Sequence, residues 1–124
     1  MTEDGSSRQS FSVTLHSPKR ASQALELPVD PARTYTWVPA EVAAALGLER
    51  VGTCAILTDR GRVITRSLAQ VTAEHGGVRR AVTVVVAEDG DLAAVGVTTL
   101  EAFALVFNEQ LNELRPVDLL ALET

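Results

Sequence analysis

The stretch Ala81-Val82-Thr83-Val84-Val85-Val86-Ala87 constrains this chain more than any other. It is apolar nearly throughout and rich in β-branched side chains, with none of the alternation of a half-exposed strand. Such a run is predicted to be a strand buried on both faces. A strand clad on both sides needs other elements over each face, and the rest of the chain is patterned to supply them.

Phe11, Val13 and Leu15 alternate with Ser12, Thr14 and His16, a half-buried strand. His16-Ser17-Pro18-Lys19-Arg20 is a loop, and Ala24 to Val29 a return strand that carries Asp30 at its end. Pro39 followed by Ala40-Glu41-Val42-Ala43-Ala44-Ala45-Leu46-Gly47 has a proline start, an alanine-rich interior and a glycine stop, the marks of a short helix. Val51 to Leu57 and Val63 to Val71 are strands joined by the hairpin turn Asp59-Arg60-Gly61-Arg62. Glu74-His75-Gly76-Gly77 and Glu88-Asp89-Gly90-Asp91 are further turns. Leu92 to Val97 is predicted as a strand and Thr98 to Ala104 as a short helix with a threonine near its cap. Leu105-Val106-Phe107 and Gln110-Leu111 form a closing pair around Asn108-Glu109. Short strands at regular spacing with two brief helices predict a mainly β, closed barrel-like domain.

At 124 residues the chain is long enough for one domain with a modest core. Residues 1–10 are polar, lack the apolar core of a signal peptide, and are expected to be a disordered leader; residues 11–124 form the domain. A net charge of −5 argues against a nucleic-acid surface, which needs a clustered basic footprint. No apolar run is long enough to cross a bilayer as a helix, so no membrane partner is expected. The single cysteine, Cys54, lies in the apolar run Thr53-Cys54-Ala55-Ile56-Leu57 and has no internal disulfide partner, which fits a reducing, cytoplasmic setting. No Cys-His pattern makes it a nucleophile. His16 and His75 lie far apart with no second ligand at metal spacing, so neither a metal nor another cofactor is expected. The glycines are turn glycines, and none forms a phosphate-cradling loop.

The candidate functional segment is Leu27-Pro28-Val29-Asp30-Pro31-Ala32-Arg33-Thr34-Tyr35-Thr36-Trp37-Val38-Pro39. Read alone, Asp30 is a turn aspartate that bonds its own backbone. Two features downstream change that reading: the hairpin tipped by Asp59-Arg60-Gly61-Arg62, and the run Ala94-Val95-Gly96-Val97-Thr98-Thr99-Leu100-Glu101-Ala102. In order and spacing, the three resemble the active-site box, the flap and the hydrophobic-hydrophobic-Gly motif of retropepsin-like aspartic proteases. The resemblance covers roughly residues 11–122, and the Gly-Val-Thr-Thr-Leu-Glu run is its most specific part. The box departs from the family pattern, reading Asp-Pro-Ala-Arg where the family has Asp-Thr-Gly-Ala.

The resemblance implies a homodimer with the cleft between subunits, one aspartate from each chain, and an interface built partly by residues 105–107 and 111–122. In such a dyad two carboxylates share one proton, and a water between them attacks the peptide carbonyl. The altered box opposes this chemistry. Pro31 lacks the hydroxyl and the N–H with which the family threonine knits the two loops together. Ala32 adds a methyl group where close approach is needed. Arg33 puts a permanent cation beside Asp30, and a pair of ionised carboxylates lacks the acid that protonates the leaving group.

Three uses of the cleft follow, in order of preference. In the first, Asp30 is a general acid or base acting on a small, partly apolar anion. Arg33, Ala32, Pro31, Tyr35 and Trp37 bind that anion, and Arg60 and Arg62 close over it from the flap. The reaction would be an isomerisation, cyclisation or elimination. In the second, the chain is an inactive pseudoprotease kept for binding or dimerisation, and in the third a working endopeptidase. Simpler roles stand beside the site roles: Arg33 as the ion-pair partner of Asp30 or Glu26, Tyr35 and Trp37 as core or interface, Arg60 and Arg62 as a solvated hairpin tip.

Overall fold

The computed structural model describes residues 9–19 and 21–117. The strands are β1 (Ser10–His16), β2 (Ser22–Pro28), β3 (Thr36–Val38), β4 (Arg50–Leu57), β5 (Val63–His75), β6 (Val78–Val86), β7 (Leu105–Asn108) and β8 (Glu113–Pro116), with helices α1 (Ala40–Leu46) and α2 (Val97–Ala102). The architecture is thus mainly β with two short helices. β1 opens at Ser10, the last residue of the expected leader, whose residues 1–8 lie outside the described ones. No helix among the described residues is long and apolar enough to cross a membrane.

β6 behaves as its composition demands only in its second half. Val84, Val85 and Val86 are buried on both faces, whereas Val78 to Ala81 are exposed. The reason is pairing. From Leu68 onward β5 lies antiparallel on one side of β6, and β3 lies parallel on the other, against Val84 to Val86 alone. The sheet runs β2-β1-β5-β6-β3, with β4 paired to β5. Phe11, Leu15, Val29, Val38, Val84, Val95 and Leu100 fill the core.

Four expectations are corrected. Residues 92–97 form no ladder strand: Val95 makes a single bridge to Val29, and Ala94 a single bridge to Trp37. Consecutive residues here face two different strands, so neither ladder can lengthen. These two bridges span the gap between the end of β2 and β3, and ladder pairing therefore does not close the ring as a barrel would. The last hairpin pairs Leu105–Asn108 with Glu113–Pro116 rather than with Gln110-Leu111, which sit in its turn. β5 continues through Glu74 and His75, leaving Gly76 and Gly77, both at positive φ, as the two-residue turn.

α1 follows its sequence signals. Pro39 is its N-cap, Val42, Ala43 and Leu46 face the core, and Gly47 ends it in the left-handed conformation. α2 begins one residue earlier than expected, at Val97, because Gly96 rather than a threonine occupies the cap.

Candidate functional site

Asp30-Pro31-Ala32-Arg33 is a β-turn written in the sequence. The Arg33 N–H donates to the Asp30 carbonyl at 3.0 Å, and proline at the second position pre-sets the bend. Asp30 Oδ1 accepts the Ala32 N–H at 3.1 Å, so the aspartate does bond its own backbone. It also lines a cleft. The same residue thus closes the turn and borders the cleft.

The turn brings the Arg33 side chain back onto Asp30, with Nε donating to Oδ2 at 3.0 Å. Arg33 therefore pairs with Asp30; Glu26 instead accepts the hydroxyls of Ser10 and Ser12. Arg33 Nη1 donates to the Leu92 carbonyl at 2.6 Å, and the guanidinium lies 5.0 Å from the Trp37 ring centroid, within cation–π range. Nη2 makes no hydrogen bond among the described residues. Both carboxylate oxygens of Asp30 are engaged, and the pair is only partly shielded, at 27% exposure for Asp30 and 23% for Arg33.

A buried frame holds this turn from behind. The Asp30 N–H donates to the Val95 carbonyl, and the Val97 N–H to the Arg33 carbonyl, each at 2.9 Å. Thr36 Oγ1 donates to Thr99 Oγ1 at 2.6 Å and accepts the Gly96 N–H at 3.0 Å. Gly96 sits so close to the segment that a Cβ there would lie 2.4 Å from the Tyr35 carbonyl oxygen. Its φ of −97° is open to any residue, so space alone, not conformation, requires glycine.

The cleft has a volume of about 840 Å³. Asp30, Ala32, Arg33, Tyr35 and Trp37 of the aspartate segment line it together with Cys54, Ile56 and Ile64 of the β4–β5 hairpin. Leu92, 74% exposed, stands at the rim. Three expected site residues are absent from the lining. Pro31 is spent on the turn. Arg60 and Arg62 lie at the exposed tip, where Thr58 organises the turn: its hydroxyl accepts both of their N–H groups and its own N–H donates to the Arg62 carbonyl. The cleft meets the tip through Thr58 and Asp59 instead. Among the described residues no group of three or more His, Cys, Asp or Glu side chains is placed to hold a metal ion.

One pair beside the cleft was not foreseen. Arg66 grips Asp91 with two bonds, Nε to Oδ2 at 2.6 Å and Nη2 to Oδ1 at 3.1 Å, and their side chains are only 14% and 15% exposed. The available signal was local: Arg66 alternates with Ile64 and Leu68 on the same face of a strand. A cation on an inward-turned face needs a partner. The partner's identity depends on the loop after β6, which nothing near Arg66 specifies.

The Arg66 hydrogen bonds hold the Asp91 carboxyl below the usual carboxylate range. Burial opposes them, while the Glu88 N–H and the charges of Arg66 and Arg33 add to them. A lowered folded-state value means that the unfolded chain takes up the proton first as pH falls. The stabilisation is present above about pH 4 and is lost as acid carries Asp91 through its depressed range. Urea midpoints for wild type and Asp91→Asn should therefore differ near neutrality and draw together as acid carries Asp91 through its depressed range. A constant difference would mean that the pair is not the acid-sensitive element.

Among solved structures, the chain is similar to EIAV protease complexed with the inhibitor HBY-793. The TM-score is 0.64 over 83% of this chain and 94% of that one, at 15% identity. No protein-family model matches the sequence, and no curated protein does. At that identity the likeness is one of fold: the chain has a retropepsin-like fold, with Asp-Pro-Ala-Arg at its aspartate turn.

Proposed function

We propose that this protein uses an aspartic-protease scaffold, as a dimer, for something other than cutting peptides: its cleft binds a small, partly apolar anion and acts on it by acid–base chemistry. The observation that carries the proposal is the Asp30–Arg33 pair. A peptidase dyad needs a carboxylate free to share a proton and a water with its twin. Here one oxygen of Asp30 holds the Ala32 N–H and the other holds Arg33 Nε.

That arrangement suits an anion-responsive site. An incoming carboxylate or enolate takes the guanidinium in place of Asp30, using the uncommitted Nη2 first. Apolar parts of the ligand rest on Trp37, Ile56 and Ile64. Asp30, relieved of its partner, is left beside the bound anion as a base able to take a proton and return it. The double engagement of Asp30 also favours a second reading, in which the carboxylate only orients Arg33 and the cleft binds without chemistry.

Phenylpyruvate separates these readings, being a partly apolar carboxylate with an acidic C–H whose keto–enol interconversion is followed by absorbance. Wild type should bind it and speed that interconversion. Arg33→Met should weaken binding by about 30-fold, the worth of a charge-assisted hydrogen bond. Asp30→Asn should bind but no longer accelerate. Binding without acceleration in wild type selects the second reading. Cleavage of a peptide library by wild type and not by Asp30→Asn, at any pH from acid to neutral, would overturn both.

A further inference from the structure

Arg33 is not flanked by Asp30 alone. Its Nη1 sits on the carbonyl of Leu92, and the residue before Leu92 is Asp91. Asp91 lines the same cleft, and the charge of Arg33 reaches it. Among the described residues that line the cleft, Arg33 is the one cationic side chain, and it has two carboxylates in its neighbourhood. It is bonded to the partly exposed Asp30 and not to the better shielded Asp91.

Arg66 accounts for that choice. It comes from β5, two residues before Leu68, where the ladder with β6 begins. It does not line the cleft, yet both oxygens of Asp91 are taken by it. Its remaining nitrogen, Nη1, donates to the Thr65 carbonyl at 2.9 Å and lies 3.6 Å from a Glu88 carboxylate oxygen. Asp91 Oδ2 additionally accepts the Glu88 N–H at 2.8 Å, which fixes the carboxylate within its own turn. All three guanidinium nitrogens of Arg66 are thus engaged within the protein.

We infer that Arg66 is a positioning residue for anion binding: by neutralising Asp91 it keeps that carboxylate from capturing Arg33, and so leaves Arg33 on Asp30 and open to the ligand. This rests on the anion-binding reading above and adds a residue that touches neither the ligand nor Arg33. A purely structural clamp between β5 and the 88–92 loop would use the same contacts, but the two roles respond oppositely to a second substitution.

In Arg66→Met, Asp91 is left without its cation and competes for Arg33. Phenylpyruvate affinity, by calorimetry, should fall about tenfold, the scale of one added charge competitor in a partly shielded site. In Arg66→Met/Asp91→Asn the competitor is gone, and affinity should return to within about threefold of wild type, although the clamp is still cut. If the double variant binds as poorly as the single one, or the single one binds like wild type, the inference fails. Ligand-free emission gives an independent readout, because Trp37 is the single tryptophan and lies under Arg33. Its emission should shift in Arg66→Met as the guanidinium moves, and should return in the double variant. An unchanged spectrum in folded Arg66→Met also overturns the inference. Should wild type bind no phenylpyruvate, the anion-binding reading falls, while the emission of the two variants still decides whether Arg66 governs Arg33.

Discussion

Gly96→Ala should cost this protein most of its stability. A Cβ at this position would lie 2.4 and 2.5 Å from the Tyr35 carbonyl oxygen and carbon and 2.9 Å from the Arg33 carbonyl oxygen. All three are backbone atoms, which cannot swing aside as a side-chain tip can. Relief requires the 33–36 segment to part from residues 95–98. That would break the bonds from the Val97 N–H to Arg33 and from the Thr98 N–H to Thr34, and with them the seat of the aspartate turn. Overpacking against yielding neighbours costs about 1–3 kcal/mol, and unyielding ones place this change above about 3 kcal/mol. The total for a domain of this kind is on the order of 5–15 kcal/mol. Urea denaturation should show a large drop in midpoint, or no cooperative transition at all. A variant within about 1 kcal/mol of wild type would mean that the two segments are not in contact as described.

Thr36→Val should be the next most damaging change, although it alters almost no volume. The Thr36 hydroxyl accepts the Gly96 N–H and donates to Thr99, and both threonines are buried, at 3% and 2% exposure. A methyl group in its place strands a backbone donor and a hydroxyl acceptor away from water. Each such group costs roughly 1–3 kcal/mol, so about 3 kcal/mol together is expected. Thr36→Ser keeps the hydroxyl and should recover most of the loss. Equal stability in the valine and serine variants would show that the bonds contribute nothing.

These two positions also mark the limit of what could be read from the amino acids. The Asp-Pro-Ala-Arg turn was legible because its bonds span three residues, and α1 because proline and glycine bracket an alanine-rich run. β6 was legible from its valines. β3 was not: three residues after a polar turn carry no periodicity, and they are strand only because Val84 to Val86 lie alongside. Residues 92–97 have strand composition but serve two partners in turn, which composition cannot express. The Thr36–Thr99 and Arg66–Asp91 pairs join positions far apart in the chain, and each partner alone looks like an ordinary polar residue in an apolar neighbourhood. The hairpin was expected to meet the cleft through Arg60 and Arg62, and it lines it instead with mostly apolar side chains and Thr58 and Asp59.

This hairpin has one further consequence. Before Leu68 it has no ladder with β6, and its last rung, Leu57 opposite Val63, is an apolar pair left 71% and 68% exposed. Its opening therefore breaks few contacts with the core. Amide protons of residues 53–57 and 63–66 would exchange with solvent through local excursions, with protection well below that of Val84 to Val86, which must await global unfolding. Exchange there would report how freely the cleft breathes, and would be nearly blind to how stable the fold is.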